Sequence, residues 1–487
     1  MTDRYGAAQP AAVGPHPVDE APEHPRHGST RALFTLGFGT HTAPMALVTG
    51  AISVQVCHQP LWSGVLAVLL GQLLGGAFPV PDRAPGLRLP RLSRSRSRSG
   101  SPGAVPGLAV ATVLYVVFFA AHLVLAGKSL QVLAPGLPVG TGILLGAAGS
   151  VVLCLLGHRR ALGRAAAVAL GLGVVGGLAL LVVRGLPGDF LTRGGFTFAG
   201  WLAIVALSAL WRPALSAYAV DPVQLPDRTV RTPGAFWATY AGCCLGSLLP
   251  FLAGAMAAPA WSGPVTAAGF GAVAGAFGPV LLVLFLFSVL GGTVLNLYGA
   301  VQATLVIGQT LRSRWRSRAW ARGAVGALVL TGGPALALGL AGDFVTRFGA
   351  LALALLAVLT PWAAITLGDI ALRRYGGQAS DELCAPDAGH YGRFAPVAAG
   401  SYAVGLGVQI PFLTPGLYPG PEGASFGGAE LSWLVGLTVT VPLYSLWARS
   451  RRQCEDAVLG MREQAARILD PLRPLYPEDV RGFADTR

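Results

Sequence analysis

The residues of this sequence most able to act chemically are an arginine and the proline beside it. They lie near the middle of an apolar run that is long enough to cross a membrane. The run covers residues 197–220 and contains Trp211, Arg212 and Pro213, followed by Ser216. Proline removes one backbone donor and frees a carbonyl, and at bilayer depth these groups must find partners. Irregular backbone survives there only inside protein or beside a water-filled cavity, where transporters bind their substrates. The segment therefore predicts a broken helix that lines a transport site.

Three more basic side chains lie within apolar runs, namely His41, His122 and Lys128. No carboxylate lies comparably deep, and a charged group at the centre of a membrane helix costs about 2.5–3.5 kcal/mol. Together with Arg212, these residues favour a ligand that is anionic or rich in acceptors, or a fixed positive charge that replaces a coupling cation. The structural alternatives are a Lys128 that extends to the membrane surface and a His41 that only packs.

A second interruption is predicted in the first apolar run, which covers residues 32–54. Small and polar residues break its pattern at Gly37, Gly39, Thr40, His41, Thr42 and Pro44. Broken helices at the first and sixth spans are typical of the five-plus-five inverted repeat found in many transporters. We therefore predict an all-α membrane transporter domain over residues 31–450, with repeats over 32–184 and 197–370.

The composition excludes a soluble globular protein. Of the 487 residues, 53% are hydrophobic and only 12% are charged, with a mean hydropathy of +0.59, whereas soluble proteins average about 25% charged residues. Hydropathy predicts about twelve spans. They lie near residues 32–54, 60–80, 104–133, 139–157, 161–184, 197–220, 236–258, 275–308, 322–342, 347–370, 394–413 and 431–448.

The last two of these spans, over residues 394–448, are predicted as extra helices outside the repeats. Residues 1–30 are polar and rich in proline and histidine, which predicts a disordered cytoplasmic tail without a secretory signal. Residues 451–487 are predicted as a second cytoplasmic tail.

Arginine clusters orient the spans across the membrane. They follow spans two, four, eight, ten and twelve, whereas the intervening connections carry few basic residues. By the positive-inside rule both termini are cytoplasmic, in a multi-pass protein of the cell membrane. The alternating Arg-Ser run at 93–99 fits a short cytoplasmic loop, so no nucleic-acid partner is predicted. The cysteines show no metal-ligand spacing, and the sequence contains no G-x-x-x-x-G-K-[ST] loop for ATP.

Several segments, in order along residues 32–450, resemble the nucleobase–cation symporter family, which includes cytosine/purine, uracil, allantoin, hydantoin and thiamine permeases. The similar motifs are Trp211 to Asp221 with Pro226, Ala235 to Gly246, Leu295 to Tyr298, Pro361-Trp362 with Asp369, and Leu431 to Tyr444. The resemblance implies a secondary transporter that imports a planar heterocycle by alternating access. It also implies a central cavity bounded by spans one, three, six and eight, with the ring held between aromatic side chains.

The resemblance further implies roles for individual residues. Trp211 and Phe118 match the aromatic positions that stack on the ring, an interaction worth about 1–3 kcal/mol per base. His122 matches a polar position one turn after Phe118, and Asn296 matches the asparagine that bonds the ring edge. Arg212 and His41 complete the predicted substrate site. No catalytic residue, cofactor or resident metal is predicted, and the chain is not expected to be an enzyme.

The sequence departs from the family at its sodium site. The hydroxyl-bearing positions of span eight fall on Leu290 and Gly291, and Ser288 or Thr293 would have to substitute. Sodium needs oxygen ligands, so coupling to sodium, coupling to protons and facilitated diffusion remain open.

The predicted partners are a small heterocyclic substrate and the lipid bilayer, and we expect a monomer. Two alternatives remain for the function. One is a carrier of an amino acid or amine with the same fold. The other is a membrane sensor or scaffold that does not transport.

Overall fold

The computed structural model describes residues 30–76, 105–155, 168–169, 171–178, 189, 191–216, 232–258, 275–311, 319–376, 396–413 and 428–469. These residues are almost entirely helical and include no strand, which confirms the predicted all-α fold. The polar N-terminal tail and most of the arginine-rich connections lie outside the described residues.

The helices of the described residues are numbered in chain order. They are α1 (Thr30–His41), α2 (Pro44–Gln55), α3 (Leu61–Gly76), α4 (Val105–Leu133), α5 (Val139–Leu155), α6 (Phe198–Ser216), α7 (Thr232–Ala257), α8 (Gly278–Leu311), α9 (Ala319–Ala341), α10 (Phe344–Gly376), α11 (Pro396–Gly407) and α12 (Ser432–Leu469). Two 3-10 turns, Gly275–Phe277 and Ile410–Phe412, adjoin α8 and α11, and residues 171–178 form a short helical stretch before α6.

Five helices are long and apolar enough to cross a membrane, namely α4, α7, α8, α9 and α10, and α2, α3, α5 and α6 contain shorter apolar segments. Large apolar side chains such as Leu144, Val152 and Leu328 lie exposed on their outer faces, as expected where a helix meets lipid. The chain therefore has the architecture of a multi-pass membrane protein. The number of about twelve spans stays a prediction.

The interruption predicted in the first span is present. Helix α1 ends at His41, and the backbone amide and hydroxyl of Thr42 both donate to the carbonyl oxygen of Phe38, at 2.9 and 2.8 Å. Ala43 is extended, with φ −120° and ψ 143°, as a residue before proline prefers. Pro44 then begins α2, where its missing N–H costs nothing. The sequence around Pro44 therefore divides one membrane span into two short helices.

The interruption predicted at Trp211-Arg212-Pro213 is wrong at that position. Helix α6 continues through Pro213 to Ser216, and residues 217–231 lie outside the described part. A proline frees only a carbonyl one turn earlier, and packing against neighbouring helices allows membrane helices to keep such a residue. The same chain carries Pro250, Pro334, Pro361 and Pro442 inside α7, α9, α10 and α12. Proline alone therefore does not end a helix in this protein.

The helices pack in three groups. Helices α1 and α2 pack on α7, and α3 packs on α6, which together form the first group. Helix α4 is the centre of the second group and is surrounded by α5, α8 and α9. Helices α10, α11 and α12 form the third, in which α10 also contacts α4 and α6. The first two groups meet where α2 touches α8 and where α6 touches α4, so a site between them would lie beside α2, the second helix of the broken first span.

The last helix is longer than the apolar run that predicted it. The span was expected to end at residue 448, whereas α12 continues without a break to Leu469. The first part of the predicted C-terminal tail is therefore helical.

Candidate functional site

The imidazole of His122 lies in the middle of the contact between α4 and α8. Its Nδ1 lies 2.7 Å from the carbonyl oxygen of Phe118, one turn earlier in α4. A carbonyl only accepts, so Nδ1 carries the hydrogen in this bond. The other edge of the ring lies against Gly292, where a Cβ would be 2.6 Å from Nε2 and 2.7 Å from Cδ2. The ring thus occupies the volume that a side chain at position 292 would need.

Asn296 lies next to this histidine, on the same glycine. Its Nδ2 donates to the carbonyl oxygen of Gly292 at 2.8 Å, and only 3% of the residue is exposed. His122, with 4% exposed, reaches the same glycine from the other helix. The two residues predicted to bind the substrate edge therefore both adjoin Gly292. An amide and an imidazole placed this way offer hydrogen-bonding groups in an otherwise apolar seam.

Phe118 lies on the side of α4 that faces α10. Its ring meets Phe348 edge-on, with centroids 5.8 Å apart and planes at 85°. Phe348 in turn stacks on Phe344, with centroids 5.5 Å apart. The Nζ atom of Lys128 lies 5.7 Å from the centre of the Phe344 ring, within the range of a cation–π contact. Phe118 is thus the inner end of a column of three rings that begins at the end of α4.

His41 lies at the break of the first span. It is the last residue of α1, is almost fully buried, and its Nδ1 lies 3.1 Å from the carbonyl oxygen of Gly37. The position combines a basic side chain with the negative end of a helix dipole. Helix α2, which begins three residues later at Pro44, contacts both α6 and α8. His41 therefore ends the first half of the broken span, whose second half, α2, reaches the junction of the first two helix groups.

Trp211 and Arg212 belong to the last two turns of α6. Their side chains are outside the described part of the structure, so their predicted places in the site stay predictions. The backbone of α6 contacts α1, α2, α4 and α10, which are the helices that surround the junction.

The predicted departure at the sodium site stays a prediction. Leu290 and Gly291 carry no oxygen, and the hydroxyl of Thr293 donates to Val289 in its own helix at 2.7 Å. Ser288, two residues before Leu290 on α8, is buried. Among the described residues, no group of three histidine, cysteine or acidic side chains could hold a metal ion. The donor set around α8 is thus poorer in oxygen than a sodium site with two adjacent hydroxyls.

Two residues of this region escaped the sequence-based prediction. Gly292 was not considered, although it is the contact shared by His122 and Asn296. Phe348, which holds Phe118, was not considered either. The four-residue spacing of Gly292 and Asn296 places both on one face of α8, and this was the available signal. The partner of that face only becomes visible in the folded chain.

No protein-family model matches the chain. Among curated proteins, it is 28% identical over 449 residues to YxlA of Bacillus subtilis (strain 168), named as a candidate purine-cytosine permease, with 89% of this chain and 95% of that protein covered. The structure of Mhp1, a nucleobase-cation-symport-1 family transporter, closed with bromovinylhydantoin bound, superimposes with a TM-score of 0.64 at 17% identity, over 87% of this chain and 94% of that one.

Two further structures share the fold. The inward-facing conformation of Mhp1 matches with a TM-score of 0.64 at 18% identity, over 88% of this chain and 92% of that chain. The substrate-bound outward-open state of a Na+-coupled sialic acid symporter matches with a TM-score of 0.56 at 12% identity, over 87% and 90%.

The apolar helices and the similarity to these proteins define this chain as a multi-pass membrane protein with the fold of Mhp1. The resemblance to the nucleobase–cation symporters that the sequence motifs indicated is confirmed by the similarity to YxlA and to Mhp1. The proteins that it resembles are transporters and not enzymes, as predicted.

Proposed function

We propose that this protein imports a planar, nucleobase-like heterocycle by alternating access, of the cytosine, purine, uracil, allantoin, hydantoin or thiamine class. The observation that carries the proposal is the placement of His122 and Asn296 on a shared glycine, in the seam between α4 and α8. Phe118 lies one turn before His122 in α4, and α2, which follows the break after His41, contacts α8. The site thus combines an aromatic face with edge-bonding groups, which is what a flat, polar-edged ring requires.

In this proposal each side chain has a separate task. Phe118 stacks on one face of the ring and Trp211 on the other. His122 and Asn296 bond the ring edge, since an amide can donate and accept, while Nε2 of His122 accepts because the hydrogen of the neutral ring is on Nδ1. Arg212 from α6 and His41 from the broken first span complete the site, where they favour an acceptor-rich substrate.

We also propose an inverted repeat, which alternating access would use and which the helix packing supports. Helices α1 and α2, the first span, pack on α7, the seventh. Helix α6, the sixth span, packs on α3, the second. If the halves 32–184 and 197–370 are equivalent, the first span corresponds to the sixth and the second span to the seventh. The contact between spans one and seven then corresponds to the contact between spans six and two. In such a fold one group of helices rotates against the other around a fixed site, which exposes the substrate to each side in turn.

The coupling ion is either sodium or a proton. The oxygen-poor surroundings of Leu290 and Gly291 favour the proton. The orientation with both termini in the cytoplasm rests on the arginine-rich connections. A monomer in the bilayer is sufficient for this mechanism, without a nucleic-acid partner.

Uptake into proteoliposomes tests the proposal. Radiolabelled cytosine, uracil, hypoxanthine, allantoin and hydantoin are supplied in turn, with a sodium gradient, with a proton gradient and with neither. We expect one ligand to accumulate under one gradient. Accumulation of an amine or amino acid instead, or binding without any uptake, would support the alternative functions.

A pair of neighbouring phenylalanines supplies a matched control. Phe118→Leu removes the predicted stacking ring, whereas Phe119→Leu removes a ring that packs on Gly333 of α9, away from the site. We expect Phe118→Leu to raise the KM about ten-fold or more, from the loss of stacking. Phe119→Leu should lower the melting temperature without a comparable change in KM.

A further inference from the structure

We propose that Gly292 is a positioning residue for His122, and that the pair selects substrates that present a ring N–H to the Nε2 atom. The inference rests on the proposed function and narrows its substrate class to cyclic amides and ureides. Three observations carry it, namely the hydrogen bond at Nδ1, the contact of the ring with Gly292 and the position of Asn296.

The hydrogen bond at Nδ1 fixes the chemistry of the opposite nitrogen. Nδ1 donates to the carbonyl oxygen of Phe118 at 2.7 Å, which is a short and well-formed contact. In a neutral imidazole with its hydrogen on Nδ1, Nε2 carries a lone pair and can only accept. A glutamine, which the resemblance places at this position, could turn its amide to donate or accept. His122 therefore offers the substrate a more restricted partner than glutamine would.

The contact with Gly292 fixes where that lone pair lies. A Cβ at position 292 would be 2.6 Å from Nε2 and 2.7 Å from Cδ2, but 3.5 Å from Cε1. A side chain at position 292 would therefore lie against Nε2 itself, and glycine leaves that atom uncovered on this side. Because Cβ atoms do not approach other atoms below about 3 Å in real proteins, an alanine would displace the imidazole.

Asn296 shows that the same glycine organises both edge-bonding groups. Its Nδ2 donates to the carbonyl oxygen of Gly292 at 2.8 Å. A displacement of α8 at this point would therefore move the asparagine as well as the histidine. The two helices are held together at this level by a packed ring on one side and a side-chain hydrogen bond on the other.

Another glycine of the same helix provides a matched control. Gly299 lies two turns after Gly292, and a Cβ there would be 2.8 Å from the ring of Tyr115, also in α4. Gly299→Ala and Gly292→Ala therefore introduce the same methyl group against a ring of the same neighbouring helix. Only the second of them meets His122.

The test compares uptake of uracil and hydantoin with that of their N-methylated derivatives, in proteoliposomes of the wild type and the variants. In the wild type we expect the parent ring to be preferred about ten-fold or more over the derivative that blocks the bonded N–H, from the loss of one hydrogen bond. Gly292→Ala should bring this ratio towards one by raising the KM of the parent, with a smaller change in the maximal rate. Gly299→Ala should lower thermal stability and leave the ratio unchanged.

Two further variants separate positioning from packing. In a His122→Ala background, Gly292→Ala should have no additional effect on KM, because no ring remains to be displaced. His122→Gln keeps the space at Gly292 and should relax the ratio even if Gly292→Ala does not fold. Equal ratios in the wild type and in His122→Gln would overturn the inference.

If the wild type transports none of these rings, the proposed function itself fails. Transport with an unaltered preference in the variants rejects only the role of Gly292 and His122.

Discussion

Helices α1, α2 and α7 approach one another backbone to backbone, whereas α4 meets α8 and α9 through rings placed over glycines. At Gly254 of α7 a Cβ would overlap the carbonyl oxygen of Leu47, and at Gly50 of α2 it would overlap that of Phe251. Where α4 meets α8 and α9 the glycines face side chains instead, as at Gly292 with His122 and at Gly333 with Phe119, although α4 and α5 meet backbone to backbone at Gly127 and Gly142. Both regions use glycine for close approach, but the neighbouring atoms differ in their ability to move.

This difference gives the two regions different tasks: the contacts of α1, α2 and α7 serve stability, and those of α4 serve function. A carbonyl oxygen in a helix cannot move without breaking the helix, so the first region is a rigid unit. A ring can change its side-chain torsions, so the second region can adjust when a glycine is replaced. Conformational adjustment around the substrate is therefore expected along α4, while α1, α2 and α7 move together.

The largest effect is expected from Gly254→Ala. The new methyl group would overlap the Leu47 carbonyl and lie 3.1 Å from the backbone nitrogen of Ala51, so α2 and α7 must separate. Overpacking of this kind costs about 1–3 kcal/mol or more. We expect little folded protein, measured by size-exclusion chromatography of the detergent extract. Gly234→Ala, in the same helix with no atom within 4 Å of its Cβ, is the control and should behave like the wild type. Equal yields of both variants would contradict the rigid contact.

An intermediate effect is expected from Gly333→Ala in α9. A Cβ there overlaps the ring of Phe119, which can rotate at a cost, and we expect a loss of about 1–2 kcal/mol in thermal unfolding. The adjacent Gly332→Ala meets no atom within 4 Å and should be neutral or stabilise by about 0.5–1 kcal/mol, since alanine favours the helix. If Gly333→Ala were as damaging as Gly254→Ala, the distinction between rings and backbone would be lost.

A smaller effect is expected from replacing Gln59, a side chain whose hydrogen bonds join elements of the first group of helices. Gln59, fully buried after α2, donates from Nε2 to the carbonyl and hydroxyl oxygens of Thr197, both at 2.9 Å, and accepts from Ser63 at 2.9 Å. Gln59→Leu should cost about 1–2 kcal/mol, because it removes these bonds and leaves buried groups without them. Thr197→Val removes only the hydroxyl and should cost less. Thermal unfolding followed by tryptophan fluorescence measures both, and equal losses would mean that the bonds of Gln59 to the Thr197 carbonyl and to Ser63 add nothing to stability.

The sequence predicted the fold more completely than the site, and the reasons are physical. Long apolar runs report how a segment meets lipid, so the helical fold and the break before Pro44 could be predicted. At Pro213 the prediction was wrong, since tertiary packing decides whether a helix keeps a proline and the local sequence does not. The position of His122 could be inferred from the resemblance. Its dependence on Gly292 could not, because hydropathy does not say which glycine faces which ring.

The smallest effect concerns the pH dependence of one thiol in the connection between α2 and α3. Burial raises the pKa of Cys57 from 9.0 to about 11, because the thiolate loses its hydration. The folded state therefore keeps the proton while the unfolded chain loses it, so this thiol favours the fold fully below pH 9 and progressively less between pH 9 and about 11. We expect alkylation of Cys57 to be slow at pH 8 and to accelerate about ten-fold per pH unit, without levelling off near pH 9 as in the unfolded chain. Mass spectrometry of the Cys57 peptide after timed treatment with iodoacetamide measures this.

The carbonyl of Cys57 accepts from Gln59 at 3.3 Å, so Gln59→Leu should open this connection and bring the alkylation profile towards that of the unfolded chain. A folded wild type that reacts like its own unfolded chain would show that the connection is open to water, and the first helix group would then be less rigid than its glycine contacts indicate.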